Sequence, residues 1–367
     1  MPLMTPERVL LTTDTVGGVW RYTLDLASLL RARNVDVSVA TLGPGPTEAQ
    51  RALIPAGARL YETDLPLDWV ASRESDLSAA GEAIAALARR ERVDLVHLHA
   101  PAYAGLVAWP VPVVSVAHSC LATWWEAVRG TAPPEDFRWR TDATARGLRA
   151  SDAVIAPSAA FAASLRRTYG EDLALTVVHN ARPRRSARPG PRERAVITAG
   201  RLWDEGKNVA TLDRAAARLV PPIYAAGPTR GPNGAQVKAR NLHLLGVLDE
   251  RRLEHRLAST MVFASPARYE PFGLGVLEAA QLGAALVLSD IPTFRELWPS
   301  AALFVDHDDA ADLCRALGRL LDDPPFAAQM AARARMRARD FSLARLIREV
   351  ERVYAEAVRG PRLQSVA

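Results

Sequence analysis

Cysteine is scarce in this 367-residue chain: Cys120 and Cys314 are the only two, far apart in sequence. That excludes a disulfide framework and a cysteine-rich zinc site, and it fits a reducing compartment. Lysine is equally scarce, with Lys207 and Lys238 the only two among 46 basic residues. Where arginine is so strongly the default, a retained lysine draws notice, because its compact ammonium acts as a point charge rather than a planar fork. No apolar run reaches the roughly 18–20 residues of a membrane span, and no charged start precedes an apolar signal core. The expected location is therefore cytoplasmic. The net charge of +5 is modest. The arginine-rich stretches lack aromatic interleaving or a nucleic-acid-binding module, so nucleic acid is not an expected partner.

What is present is alternation. The periodicity predicts strands at 8–13, 35–41, 59–62, 93–97, 111–117, 153–156 and 174–178, with helical spacing over 19–30, 74–90, 136–149 and 159–169. A second series predicts strands at 195–199, 222–226, 242–245, 261–265, 284–289 and 303–305, with helices over 272–282 and 342–359. Strand–helix alternation of this kind specifies α/β architecture with doubly wound parallel sheets, whose ligands bind at the carboxyl ends of the strands. At 39.8 kDa the chain fits two domains. Residues 182–194, rich in proline and charge, read as a solvated linker between a domain over 1–181 and another over 195–341.

Three stretches carry candidate chemistry. In Arg268-Tyr-Glu-Pro-Phe-Gly-Leu-Gly-Val-Leu-Glu278, a loop leaves a strand and enters a helix. Gly273 and Gly275 permit close approach, and the helix start offers amides to a phosphate. Glu270 and Glu278 flank it, which suits hydrogen bonds from neutral hydroxyls better than contact with an anion. The bland alternative is a buried helix with a solvated glutamate at each end. In Gly200-Arg-Leu-Trp-Asp-Glu-Gly-Lys-Asn208, Arg201 and Lys207 stand at either end of a tight loop that follows a strand; a diphosphate clamp and a solvated basic loop are both open. Near the start, Gly17-Gly18 lies between a strand and a helix, without the spacing of a dinucleotide fingerprint.

The frame E-P-F-G-L-x-x-x-E, with Glu270 and Glu278 at its ends, resembles the signature of retaining glycosyltransferases of family 4. That resemblance implies the GT-B fold, two Rossmann-like doubly wound domains facing each other across a cleft, with the helix over 342–359 packing back on the first. It implies transfer of a sugar from a nucleotide-sugar donor to a carbohydrate or lipid-linked acceptor hydroxyl, with retention and without a metal or other cofactor. By the same resemblance Arg201 and Lys207 hold the leaving diphosphate, and Glu270 with the amides of Gly273 and Leu274 holds the donor sugar. Glu278 holds the ribose, and Phe272, Val247, Gly17 and Gly18 belong to the donor site. His118 reaches the sugar from the opposite domain. At 179–183 the chain has His-Asn-Ala-Arg-Pro where the family usually has P-N-G-x-D, and only Asn180 is kept. A nucleotide-sugar epimerase of the same fold and a non-catalytic binding protein are the competing readings.

Other features read as structural. His97 and His99 are expected on opposite sides of an extended segment and not as metal ligands. Trp124, Trp125 and Trp139, with Arg129, Arg138 and Arg140, read as an irregular packed loop; a carbohydrate acceptor or a peripheral contact with the inner membrane face is the alternative. Asp306-His307-Asp308 precedes a helix, so capping by Asp308 or Asp309 is expected ahead of metal binding.

Overall fold

The computed structural model describes residues 5–185 and 190–360, so the middle of the expected linker, 186–189, lies outside the described residues. The chain divides into two compact units, one running to Asn180 and resuming at Leu343, the other spanning Ala181–Ser342.

The first unit contains β1 (Arg8–Asp14), α1 (Gly18–Arg31), β2 (Asp36–Leu42), α2 (Glu48–Arg51), β3 (Arg59–Glu62), α3 (Glu74–Arg90), β4 (Leu95–Leu98), β5 (Val113–Val116), α4 (Leu121–Arg129), α5 (Arg138–Ala150), β6 (Ala153–Ala156), α6 (Ala159–Tyr169) and β7 (Leu175–Val177). Its seven strands are all parallel, in the order β3-β2-β1-β4-β5-β6-β7. The central strands are buried along their length, the pattern of a sheet covered on both faces by crossover helices.

The second unit contains β8 (Glu193–Ala199), α7 (Val209–Ala216), β9 (Ile223–Ala226), β10 (His243–Gly246), α8 (Glu250–Ser259), β11 (Thr260–Ser265), α9 (Leu274–Gln281), β12 (Ala285–Ser289), α10 (Pro292–Leu297), β13 (Leu303–Val305), α11 (Ala310–Asp322) and α12 (Pro324–Ala338). Its six strands are also parallel, in the order β10-β9-β8-β11-β12-β13. Two clusters, one around Phe263, Leu286 and Trp298 and the other around Val196, Leu212 and Leu317, form its core.

Helix α13 (Leu343–Arg359) returns to the first unit, where it packs on α1, β5 and β6. Leu346, Ile347, Val350, Val353 and Tyr354 form its buried stripe. At about 1.5–3 kcal/mol for each fully buried apolar side chain, that stripe fixes the helix more firmly than helix propensity could.

Three expectations are corrected. His97 and His99 lie on one side of their strand, because residues two apart on a strand share a face; their ring centroids are 4.8 Å apart. The tryptophan-rich segment is not irregular. Trp124 and Trp125 belong to α4, which ends at Gly130 in the left-handed conformation, and Trp139 belongs to α5. The Arg140 guanidinium lies over the rings of Phe137 and Trp139, 4.9 and 4.4 Å from their centres. The start of the linker is not solvated: the side chains of Arg182 and Arg185 are only 4% and 11% exposed. Charges so buried require partners, and theirs are the carboxylates described below.

Candidate active site

In each sheet the strand order reverses at one place, between β1 and β4 in the first and between β8 and β11 in the second. Ligands of open parallel sheets bind outside the carboxyl ends of strands at such switch points. The loops after β1, β8 and β11, which carry Gly17, Gly18, Arg201, Lys207 and Glu270–Leu274, leave the sheets at these two places; His118 follows β5, next to β4, and Val247 follows β10 at a sheet edge.

In the second unit, β8 runs into the loop carrying Arg201 and Lys207. Asp204 Oδ1 accepts the Gly206 N–H at 2.9 Å and shapes a single 3-10 turn over Glu205–Lys207. The Gly206 carbonyl in turn accepts the N–H groups of Arg268 (2.9 Å) and Tyr269 (3.2 Å), which fastens the loop after β11 to the loop after β8. Asn208 adopts a left-handed conformation at φ 52°, a region asparagine tolerates, and its amide donates to Pro266 O at 3.0 Å and His307 O at 2.6 Å. The result is a fixed frame with two cations on it. Lys207 Nζ lies 2.5 Å from Glu270 Oε2. Arg201 reaches Asp204 at 3.2 Å, lies over the Trp203 ring, and keeps 37% of its side chain exposed.

Helix α9 begins beside that frame. Gly273, its N-cap, has φ +93°, and a Cβ there would stand 3.2–3.4 Å from Val276, Phe294 and Glu270. No side chain caps the helix, so its first-turn N–H groups remain for a ligand. A Cβ on Gly275 would sit 3.4 Å from Ala199 O, which shows how closely α9 approaches the end of β8. Phe272 is 3% exposed, with its ring edge-on to Phe341, so its side chain belongs to the core and only its backbone can face a ligand. Val247 is 75% exposed after Gly246, which has φ +66°.

Sequence reasoning passed over Gly227. Its N–H donates to Gly246 O at 2.8 Å, while Gly200 N–H donates to Ala226 O at 3.0 Å. A Cβ on Gly227 would fall 1.8 Å from Gly200 O. Glycines thus follow or end three adjacent strands, β8, β9 and β10, and leave bare backbone there. The signal was present as single glycines after short apolar runs, without any fixed spacing to mark them.

Glu278 is 6% exposed. Arg182 Nε donates to its Oε1 at 2.9 Å, and Arg182 also meets Glu250 at 3.1 Å. Arg185 pairs with the same Glu250 and, at 2.8 Å, with Glu254. Arg182 and Arg185 therefore tie the connector to α8 and α9.

In the first unit, Asp14 Oδ1 accepts the Val16 N–H at 2.8 Å, and α1 starts at Gly18 with Gly17 extended at φ −167°. His118, after β5, is half-buried. Its Nε2 lies 2.8 Å from His99 Nδ1, and His99 Nε2 lies 3.0 Å from Thr23 Oγ1 on α1. His97 Nδ1 meets the Tyr354 hydroxyl at 2.7 Å. Tyr22 stacks edge-on against His118 and His99 at 4.8 and 5.3 Å. Burial pushes His97 and His118 down to about 3 and His99 well below the ordinary histidine range, so all three rings are neutral at pH 7. Asp68, which sequence reasoning also missed, is raised to about 6 by burial, with Asp14 adding to the rise and Arg140 opposing it.

Asp309 caps α11 by accepting from Ala311 and Asp312 N–H, as expected for that segment. Asp308 pairs with Arg268. No helix among the described residues is long and apolar enough to cross a membrane.

A family model described as Glycosyltransferase Family 4 matches residues 16–183, and one described as Glycosyl transferases group 1 matches residues 193–323. The chain is 29% identical to a glycogen synthase of Mycobacterium tuberculosis, an alignment covering 95% of this chain and 93% of that one. It is 28% identical to a D-inositol 3-phosphate glycosyltransferase of Streptomyces scabiei, with 95% and 89% covered. It is 26% identical to a phosphatidyl-myo-inositol mannosyltransferase of Mycolicibacterium smegmatis, with 95% and 92% covered. Among solved structures, sucrose-phosphate synthase from Thermosynechococcus elongatus superimposes with a TM-score of 0.81 at 18% identity, over 95% of this chain and 98% of that one. Anabaena HepE in complex with UDP-glucose gives 0.73 at 17% identity, over 94% and 98%. At these identities the structural likenesses establish the fold.

Proposed function

This chain belongs to the family 4, group 1 glycosyltransferases of GT-B fold, and we propose that it moves a sugar from a nucleotide-sugar donor to an acceptor hydroxyl with retention of configuration. The observation that carries this reading is the Lys207–Glu270 pair on two loops locked together through Gly206. Lys207, Arg201 and the first turn of α9 supply positive charge where a diphosphate would leave, and fixed charge of that kind stabilises a developing anion without reorganisation. In this reading the protein itself, rather than a metal, supplies that charge.

Glu270 has two roles here. In the structure it neutralises Lys207. With a donor bound, the ammonium turns to phosphate oxygen and the carboxylate accepts hydrogen bonds from sugar hydroxyls. Glu278, held in place by Arg182, takes the ribose diol, and the glycine backbone around Gly200, Gly227 and Gly246 takes the base. His118 meets a substrate hydroxyl at the first unit's switch point. The departing phosphate removes the acceptor proton. A nucleotide-sugar donor also accords with the UDP-glucose complex of the Anabaena neighbour. The acceptor is a polyol hydroxyl, the chemistry common to the glycogen and inositol named in its relatives.

A panel of UDP-, GDP- and ADP-linked sugars tests the reading by thermal shift and nucleotide release. One donor should stabilise the wild type and release nucleotide, and Arg201→Ala/Lys207→Ala should do neither. A well-folded wild type that no donor stabilises would overturn it.

A further inference from the structure

Behind His118 the first unit holds a hydrogen-bonded chain that the proposed chemistry has not used: Thr13, Thr23 and His99, the last bonded to His118. Two neutral imidazoles joined by one hydrogen bond share one proton in it, so their tautomers are coupled. If His99 carries its proton on Nε2, its Nδ1 is a lone pair. His118 must then be protonated on Nε2, and it presents a bare Nδ1. If His99 is protonated on Nδ1 instead, His118 presents an N–H. The first ring's environment decides what the second ring offers.

The deciding contacts lie at Thr23. Its Oγ1 is 2.9 Å from Val19 O, 3.0 Å from Thr13 Oγ1 and 3.0 Å from His99 Nε2. Val19 O can only accept. Thr13 directs its own hydroxyl proton to Asp14 O at 3.1 Å, which leaves its oxygen as an acceptor toward Thr23. The single proton of Thr23 therefore has two oxygens to receive it, and bonding of this kind to the carbonyl four residues earlier in the helix is ordinary for threonine. The ring nitrogen facing Thr23 is then the donor. His99 is also held by its backbone N–H, which donates to Thr12 Oγ1 at 3.0 Å.

From this geometry we infer that Thr23, acting through His99, fixes His118 in the Nε2–H tautomer, so that His118 Nδ1 is a hydrogen-bond acceptor for a substrate hydroxyl. Nδ1 has no hydrogen-bond partner among the described residues, and His118 is half-buried. A lone pair there welcomes a neutral hydroxyl and repels a carboxylate or phosphate, which can only accept. Thr23 and His99 are positioning residues; neither touches substrate. The inference about substrate rests on the proposed place of His118, whereas the tautomer itself does not.

The test is imidazole ¹⁵N–¹H correlation spectroscopy of the ¹⁵N-labelled full chain at pH 7.5, with His118 and His99 assigned by His118→Gln and His99→Gln. The wild type and Thr23→Ser should both show His118 protonated on Nε2 and bare on Nδ1. Thr23→Val removes the partner of His99 Nε2–H, so the His118 signals should move toward a mixture of tautomers. Nucleotide release, with the donor that the wild type turns over, should fall about 10-fold in Thr23→Val and stay near wild type in Thr23→Ser. A wild-type His118 protonated on Nδ1 overturns the inference, even if Thr23→Val fails to fold. So does a folded Thr23→Val whose His118 signals match the wild type. If instead the tautomer is as stated and His118→Ala retains full turnover, the placement of His118 at the substrate fails while the tautomer assignment stands.

Discussion

Lys207 and Glu270, 63 residues apart in sequence, form an ion pair of 2.5 Å across two loops that share the carbonyl of Gly206. Their side chains are 22% and 15% exposed, wet enough to be parted by a ligand. Lys207→Met should lower kcat about 10²–10³-fold, the usual loss for one preorganised charge or donor at a reacting centre. Its cost in unfolding free energy should be only about 1–3 kcal/mol. Nucleotide release and urea unfolding on the same preparation check this, and a variant with full turnover and reduced stability would assign the pair to the fold alone.

The Arg182–Glu278 pair should behave differently, because it is buried. Arg182→Met removes the guanidinium that bonds the buried Glu278 carboxylate and should cost about 3–5 kcal/mol, whereas the joint change Arg182→Met/Glu278→Leu should recover much of that loss. Nucleotide affinity should stay low in both. Urea titration and calorimetric binding of the panel donor separate the two effects; recovery of affinity in the joint variant would exclude Glu278 from the ribose.

Gly227 tolerates no side chain. With φ +142° and a Cβ 1.8 Å from a backbone oxygen, Gly227→Ala should lose more than about 2–3 kcal/mol. Gly200→Ala meets nothing closer than 3.9 Å and carries only the cost of its φ of +149°, so it should be the milder change. Chemical denaturation of both variants gives the ranking, and equal losses would contradict it.

Stability should fall with acid. A buried histidine kept neutral binds fewer protons folded than unfolded, so its contribution is complete above the unfolded pKa of 6.5 and is lost as pH drops from there toward about 3. Each such ring adds up to about 1.4 kcal/mol per pH unit inside that window. Urea unfolding at pH 7.5 and 5.5 should show a clear loss in the wild type and a smaller one in His97→Phe. Identical slopes would place the acid sensitivity elsewhere.

Much of this was legible in the sequence. Apolar runs located the strands, since parallel strands buried on both faces leave continuous hydrophobic stretches. The spacing from Glu270 to Glu278 identified the loop and helix that the structure brings next to Arg201 and Lys207. The misses have physical causes. The period of two puts His97 and His99 on one face of any extended segment, so their expected separation fails on strand geometry alone. Helical spacing marks the helix that holds Trp139 at 136–149, but α4, only nine residues long and followed by Pro133-Pro134, is too short to show its period around Trp124. Arg182 looked solvated because its composition is that of a linker, and its carboxylate partners lie 68 and 96 residues away. Asp68 carries no local pattern at all; its environment comes from burial near β1.

The return of α13 to the first unit also bears on synthesis. His97 and Tyr354 are 257 residues apart, so the first unit cannot complete its core until Leu343–Arg359 has left the ribosome. Translation at about 5–20 residues per second puts on the order of ten seconds between the two halves of that unit. During that interval the faces of α1, β5 and β6 that α13 covers are open to chaperones, or to another nascent chain carrying the same helix.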